Sequence, residues 1–374
     1  MGDPRPFSRG GFRRSSPPGR CRPRTANSLP WSGFDAHRRV GVFRRAPAYD
    51  ASVRVAYFVT SYRPPTQLLR LLATLRRAQP DSPVVVHHDR FRSPWSADLV
   101  APIGGVDVLT SEGPVSWGDF SIVDVTWKGL SWMVEHREFD WVIFLSEQDY
   151  PVAPLDRLEE RLGQSGVDAF VEASPIHLVE DADLRMECDR RYNYRYVKLP
   201  HLGVMASLPP GVRRPVADKA SYANFVLYKL QRKMTVFRYP DPLPLRLGVR
   251  PRRSPFSPTF PCWYGSQWMA LSRRAAERVV EFVGGHEDYV RHYSRTVIPD
   301  ESATQTIVCN DPTLTICNQE LHYIRFSSPH GHPDEFRLGD VGELIGSGRY
   351  FARKFDIDVD DAVLAALDER VFGG

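Results

Sequence analysis

A carboxylate pair follows a proline at Pro299-Asp300-Glu301 and opens the run Ser302-Ala303-Thr304-Gln305-Thr306. Carboxylates in such a place can complement the positive end of the helix that follows. A carboxylate there can equally take the proton of an attacking hydroxyl as a general base. Downstream, Arg353-Lys354 lies between Tyr350-Phe351 and Phe355, so the aromatic neighbours are expected to cover part of the two stems. A cation pair of this kind suits a phosphate or diphosphate, or stays solvated. Glu147 and Asp149 flank Gln148 and form an E-x-D pair that could hold a divalent cation. Asp89 follows His87-His88 and either closes a turn or accepts hydrogen bonds from a ligand. His330 and His332 have no third ligand nearby, so no metal site is expected from them. The cysteines, at 21, 188, 262, 309 and 317, are odd in number and form no C-x-x-C pair; neither a zinc site nor a disulfide framework is expected.

The elements that would position these residues read as an α/β domain. Val53 to Thr60 has the pattern of a buried strand, Leu68, Leu69, Leu71, Leu72 and Leu75 recur at helical spacing after Pro64-Pro65, and Pro83 to Asp89 is a second strand. In a β-α-β unit the ligand lies beyond the carboxyl ends of the parallel strands, which places Ser61, Tyr62, Arg63 and His88-Asp89 at the site. No G-x-G-x-x-G follows the first strand, which argues against a standard dinucleotide site. Val106 to Leu109, a helix from about Ile122 to His136, the strand Trp141 to Leu145 and the helix Leu155 to Leu162 continue the alternation. The strand Asp168 to Glu172 completes it, and a doubly wound, mostly parallel sheet is expected. From about Ser174 to Pro261 the rhythm fails and Arg, Tyr and Pro accumulate; this segment is expected to be an irregular lobe on the acceptor side. Helices are predicted again at Arg274 to Phe282 and Asp360 to Arg370.

The chain has 374 residues, 42 % hydrophobic and 25 % charged, with a formal net charge of +4, the profile of a globular protein. Residues 1–48 are rich in Arg, Pro, Ser and Gly without a period and are expected to be a disordered basic tail, leaving 49–374 as the folded domain. The basic residues are overwhelmingly Arg, which suits a diphosphate ligand better than a nucleic-acid duplex. No run of 18 or more apolar residues occurs. The expectation is a cytoplasmic protein whose only membrane contact would be through the basic tail.

Four segments, Ser146-Glu147-Gln148-Asp149-Tyr150-Pro151, Gly265-Ser266-Gln267-Trp268, Pro299-Asp300-Glu301-Ser302 and Phe351-Ala352-Arg353-Lys354-Phe355, resemble in order and interval those of glycosyltransferase family 14. That family holds the core-2/I-branching N-acetylglucosaminyltransferases and the peptide O-xylosyltransferases, and the likeness covers about residues 53 to 357. The resemblance implies a GT-A fold and inverting transfer of xylose or N-acetylglucosamine from a UDP-sugar to an acceptor hydroxyl, on a glycan, a peptide or a small metabolite. It implies no metal and no other cofactor. It also implies roles: Glu301 as base, Arg353 and Lys354 on the diphosphate, and Arg63, Asp89, Trp117 and Asp149 on the nucleotide donor. Trp268 and Gln267 would lie on the acceptor side, with Trp268 stacking on a sugar ring or packing in the core.

Three departures stand out. Ser61-Tyr62-Arg63 replaces the His-Gly-Arg or His-Lys usual in the family, Asp119 stands where a small residue is usual after Trp117, and Gln267 stands where the xylosyltransferases carry Asp. Two alternatives stay open: a noncatalytic nucleotide-sugar or glycan-binding relative, and a metal-dependent enzyme using Glu147 and Asp149.

Overall fold

The structure, a computed structural model, describes residues 53–198, 233–237, 246–327 and 333–372. The basic segment 1–48 and the His330 and His332 pair lie outside these residues. The first half alternates as the pattern predicts: β1 (Val55–Ser61), α1 (Pro65–Ala78), β2 (Val84–His88), β3 (Val106–Thr110), α2 (Phe120–His136), β4 (Trp141–Ser146), β5 (Asp149–Pro151), α3 (Leu155–Gly163) and β6 (Ala169–Phe170). Helix α1 starts where Pro64 and Pro65 occupy positions that need no N–H.

The described parts of 174–261 are more regular than the sequence suggests. They hold β7 (Ala173–Pro175), helix α4 (Ala182–Tyr192), β8 (Arg195–Lys198), β9 (Met234–Phe237) and β10 (Arg246–Val249), the last three forming an antiparallel sheet. Asp181 starts α4 by accepting from the backbone N–H groups of Asp183 and Leu184, a capping pattern hidden among neighbouring charges. Then follow β11 (Trp263–Gly265), β12 (Ala270–Ser272), helices Arg273–Gly285, Glu287–Tyr293 and Ala303–Asn310, β13 (Ile316–Cys317), β14 (His322–Ile324), β15 (Phe351–Arg353) and the helix Ala362–Phe372.

The main sheet has seven strands in the order β13-β6-β12-β4-β1-β2-β3. Strand β1 is parallel to β2 and to β4, β3 is parallel to β2, and β13 to β6, whereas β12 runs antiparallel to β4 and β6. Successive residues of β1 point to opposite faces. Val55, Tyr57 and Val59 join α1, α3 and the C-terminal helix in one core; Ala56 and Phe58 join α2 and helices Arg273–Gly285 and Ala303–Asn310 in the other. Each fully buried Val, Leu or Phe contributes about 1.5–3 kcal/mol, so the two-sided burial of β1 fixes its register.

Helix α2 lies so close that a Cβ on Gly129 would sit 2.1 Å from the Phe58 ring. This is a doubly wound, GT-A-like α/β fold. The chain leaves β1 toward β2 and β3, then returns to β4 on the other side, which opens a switch point at the carboxyl ends of β1 and β4.

Cys188, Cys262 and Cys309 are free.

Candidate active site

At the switch point, β4 runs into Glu147, which is fully buried. Its Oε1 accepts from the Tyr62 N–H at 3.4 Å, and Oε2 has no hydrogen-bond partner. Burial pushes this carboxyl up to about 7, an effect that the nearby Arg63 guanidinium only partly offsets. Arg63 itself donates to Asp356 at 2.7 Å. In the first turn of α1, the Gln67 amide donates to the carbonyls of Glu147 and Phe355, at 2.8 and 2.9 Å. The loop after β4 is thereby pinned to the segment after β15.

A second sheet, β14-β15-β5, builds the floor, with Arg353 directly opposite Asp149. Asp149 is buried and accepts from the Ser146 N–H at 2.7 Å and the Ser146 hydroxyl at 2.5 Å. The Arg353 guanidinium stands 3.8 Å from Asp149, an ion pair too long to be a hydrogen bond, and its Nε and Nη1 have no hydrogen-bond partner. Its carbon lies 4.0 Å over the Trp268 ring, a cation–π geometry. His322 completes the wall, 3.7 Å from Asp149; burial, with Arg353 and Arg349 close by, pushes it down to about 3. Arg353 is thus a largely buried cation whose fork is held by a ring and one carboxylate, with donors left for an anion.

The turn carrying Glu301 is built differently. Ile298 adopts φ 51°, ψ 51°, a left-handed conformation that a β-branched residue enters only under constraint. The constraint is visible: the Ile298 N–H donates to the Gly118 carbonyl at 2.9 Å, and Pro299 follows. Pro299–Glu301 then form a single 3₁₀ turn before helix Ala303–Asn310. Neither Asp300 nor Glu301 is the N-cap of that helix; the N-cap is Ser302, without a side-chain cap bond. Glu301 is partly exposed and accepts from Arg191 of α4 at 2.8 Å.

A buried amide joins the two halves. Gln305 Nε2 donates to the Ser266 and Asp300 carbonyls, each at 2.8 Å, which ties the turn of Glu301 to the loop carrying Gln267 and Trp268. That loop leaves β11 through Gly265, where a Cβ would meet the Glu172 carbonyl at 2.1 Å, so no larger residue fits. All four sequence segments therefore meet in one network.

The remaining predicted residues fall around it. Lys354 pairs with Glu335 at 3.1 Å, and Phe351 and Phe355, near it in sequence, are fully buried. Asp89 is 1 % exposed and accepts from the Phe91 and Val115 N–H groups at 3.0 and 2.9 Å, tying down the loop after β3. Trp117 is well exposed before α2, whereas Trp268 is buried against Arg353. Gln267 is half-buried. Among the described residues, no group of three or more His, Cys, Asp or Glu side chains could hold a metal ion.

Gln67, Arg191, Gln305, Glu320 and His322 were not singled out by the sequence. Burial and Glu172 push the Glu320 carboxyl well above the ordinary carboxylate range.

The Glu301 turn and the Arg353 guanidinium are thus joined through Gln305 and Trp268 in a doubly wound α/β fold. A family model described as Core-2/I-Branching enzyme matches residues 55–201 and 229–345, and the chain belongs to that glycosyltransferase family. Among its relatives, beta-glucuronosyltransferase GlcAT14A of Arabidopsis thaliana is 27 % identical over 244 residues, 63 % of this chain and 44 % of that protein. Beta-glucuronosyltransferase GlcAT14B of the same plant is 26 % identical over 338 residues, 85 % of this chain and 66 % of that protein. The chain thus spans between under half and about two thirds of the length of these curated relatives. Among solved structures, HddC from Yersinia pseudotuberculosis aligns with 60 % of this chain and 79 % of its own at 10 % identity, with a TM-score of 0.26. That likeness is too loose to bear on the site.

Proposed function

We propose that the protein transfers a sugar from a UDP donor to an acceptor hydroxyl with inversion and without a metal ion, using Glu301 as the base. The observation that carries this reading is the network through Gln305, which holds the Glu301 turn against the loop whose Trp268 supports Arg353. On this reading, the acceptor O–H gives its proton to Glu301 as the oxygen bonds to the anomeric carbon. The bond from that carbon to the diphosphate breaks, and its electron pair leaves with UDP. Arg353, whose Nε and Nη1 have no hydrogen-bond partner, and Lys354 meet the growing negative charge. Trp117 and Arg63 lie at the nucleotide side; Asp89 supports that side by shaping its loop.

The named activity of the Arabidopsis relatives makes glucuronate the first donor sugar to test, ahead of xylose and N-acetylglucosamine. The acceptor is a hydroxyl on a glycan, a peptide or a small metabolite, and the cytoplasm is the compartment we propose.

Thermal unfolding with UDP, UDP-glucuronate, UDP-xylose, UDP-N-acetylglucosamine and GDP, each with and without EDTA, tests the reading, because a ligand of the native state raises the midpoint. We expect a uridine-specific rise that survives EDTA and is lost in Lys354→Ala. A rise abolished by EDTA points instead to metal held by Glu147 and Asp149. No rise with any uridine nucleotide points to a noncatalytic relative.

A further inference from the structure

The irregular segment supplies a side chain that the four motifs do not explain. Arg191, at the end of α4, is 2 % exposed, and its guanidinium is divided between two carboxylates. Nη1 donates to Glu301 Oε2 at 2.8 Å, and Nη2 donates to Glu187 Oε1 one turn back on the same helix. The end of α4 is also stitched to the base-bearing segment through its backbone, since the Arg191 carbonyl accepts from Val297 N–H at 3.4 Å and the Tyr192 carbonyl bonds the His292 ring at 2.7 Å.

A base paired with a single buried cation faces a difficulty. The pairing favours the carboxylate, and protonation would strand a guanidinium out of water, which is strongly unfavourable. Here a second carboxylate removes the difficulty. With Glu187 and Glu301 both ionised around Arg191 the cluster carries one net negative charge; when Glu301 gains a proton, Arg191 and Glu187 remain as a neutral pair.

We propose that Arg191 and Glu187 are positioning residues that orient Glu301 and let it accept the acceptor's proton without leaving an unpaired buried cation. This rests on the reading of Glu301 as the base. The proton moves from the acceptor hydroxyl to Glu301, no other covalent change occurs in the cluster, and the proton leaves to solvent once UDP and product have gone. Two further titratable groups beside Glu301, Cys188 and Tyr192, are neutral. Burial holds the Cys188 thiol and the Tyr192 phenol far above their ordinary values, so both are neutral at pH 7, and β11 brings Tyr264 near Arg191. On the α2 side the segment meets the Gly118 carbonyl, and Asp119 is engaged by Lys198 and Arg246.

The two partners should act in opposite directions. Without Arg191 the carboxylate form of Glu301 loses its cation, so it protonates at a higher pH; without Glu187 the cation serves Glu301 alone, so it protonates at a lower pH. The experiment is a ¹³C-carboxyl NMR titration of the full chain, with the Glu301 resonance assigned by its loss in Glu301→Gln, alongside the pH dependence of UDP release from UDP-glucuronate, UDP-xylose and UDP-N-acetylglucosamine. We expect Glu187→Gln to lower, and Arg191→Met to raise, both the titration midpoint and the acid limb of the rate profile by about one pH unit. Arg191→Lys keeps the charge and should stay nearer wild type, which also covers the case in which Arg191→Met does not fold. Midpoints that coincide in wild type and Glu187→Gln overturn the inference. If Glu301→Gln still releases UDP at the wild-type rate, the base reading fails while the titration still reports whether the three charges are coupled.

Discussion

On the proposed reading Glu301 and Arg353 carry the chemistry, and each makes a prediction of its own. Glu301→Gln keeps size and removes the base, so turnover should fall by about 10²–10⁴-fold while the thermal shift with UDP is retained. Arg353→Lys keeps a charge but loses the planar fork that lies over Trp268; both donor affinity and turnover should drop in steady-state kinetics, whereas unchanged values would mean that the fork is not used. Both residues were singled out in the sequence because they sit in two of the four short segments that resemble the family; their residue types alone left a helix-end carboxylate and a solvated cation equally open. Arg191, Gln67 and Gln305 were not singled out. They act by bonding carbonyls and carboxylates up to hundreds of positions away, and neither a Gln inside a helix nor one Arg in an Arg-rich stretch carries a periodic or compositional mark. Asp89 shows the opposite limit: its position at the end of β2 was foreseen, yet its oxygens serve the loop beside it.

Among the elements, the joints matter more than the long pieces. Gln305 spans two backbone carbonyls from a fully buried position. Gln305→Ala should therefore cost about 1–3 kcal/mol in urea unfolding, and should reduce kcat more than it raises KM because the Glu301 turn is released from the Trp268 loop. Equal and small changes in both constants would show that the bridge is dispensable. The strands and helices of the first half were legible because apolar residues recur with periods of two and 3.6. Short pieces such as β5 and β15 were not, since strands of three residues are defined by their partners rather than by pattern. Helix α4 was hidden for another reason: it buries few apolar side chains and packs through Cys188, Arg191 and Tyr192.

At the scale of the whole molecule, buried titratable groups set the stability profile. Burial pushes His322 down to about 3 and His292 down to about 4. The unfolded chain takes up protons on both below about pH 6.5 while the folded chain does not, so their contribution is complete above that pH and is lost as pH falls toward 4 and 3. Glu147, pushed up to about 7, and Glu320 behave in reverse. Folded, they hold protons that the unfolded chain releases above about pH 4.5, so their contribution is present below that pH and is lost as pH rises through neutrality. Denaturation midpoints from pH 3.5 to 8.5 should show a broad maximum near pH 4.5–6.5, and Glu320→Gln should flatten the alkaline decline. The overall architecture was legible because alternation of strand and helix admits few topologies; the antiparallel orientation of β12 depends on contacts between distant segments, which no local pattern encodes. The measurement that tests the central claim most directly is UDP release from UDP-glucuronate, UDP-xylose and UDP-N-acetylglucosamine in EDTA, wild type against Glu301→Gln. Release from at least one donor by the wild type, reduced about 100-fold or more in the variant with UDP still bound, is the predicted result. Equal rates in the two proteins, or release that requires an added divalent ion, would contradict it.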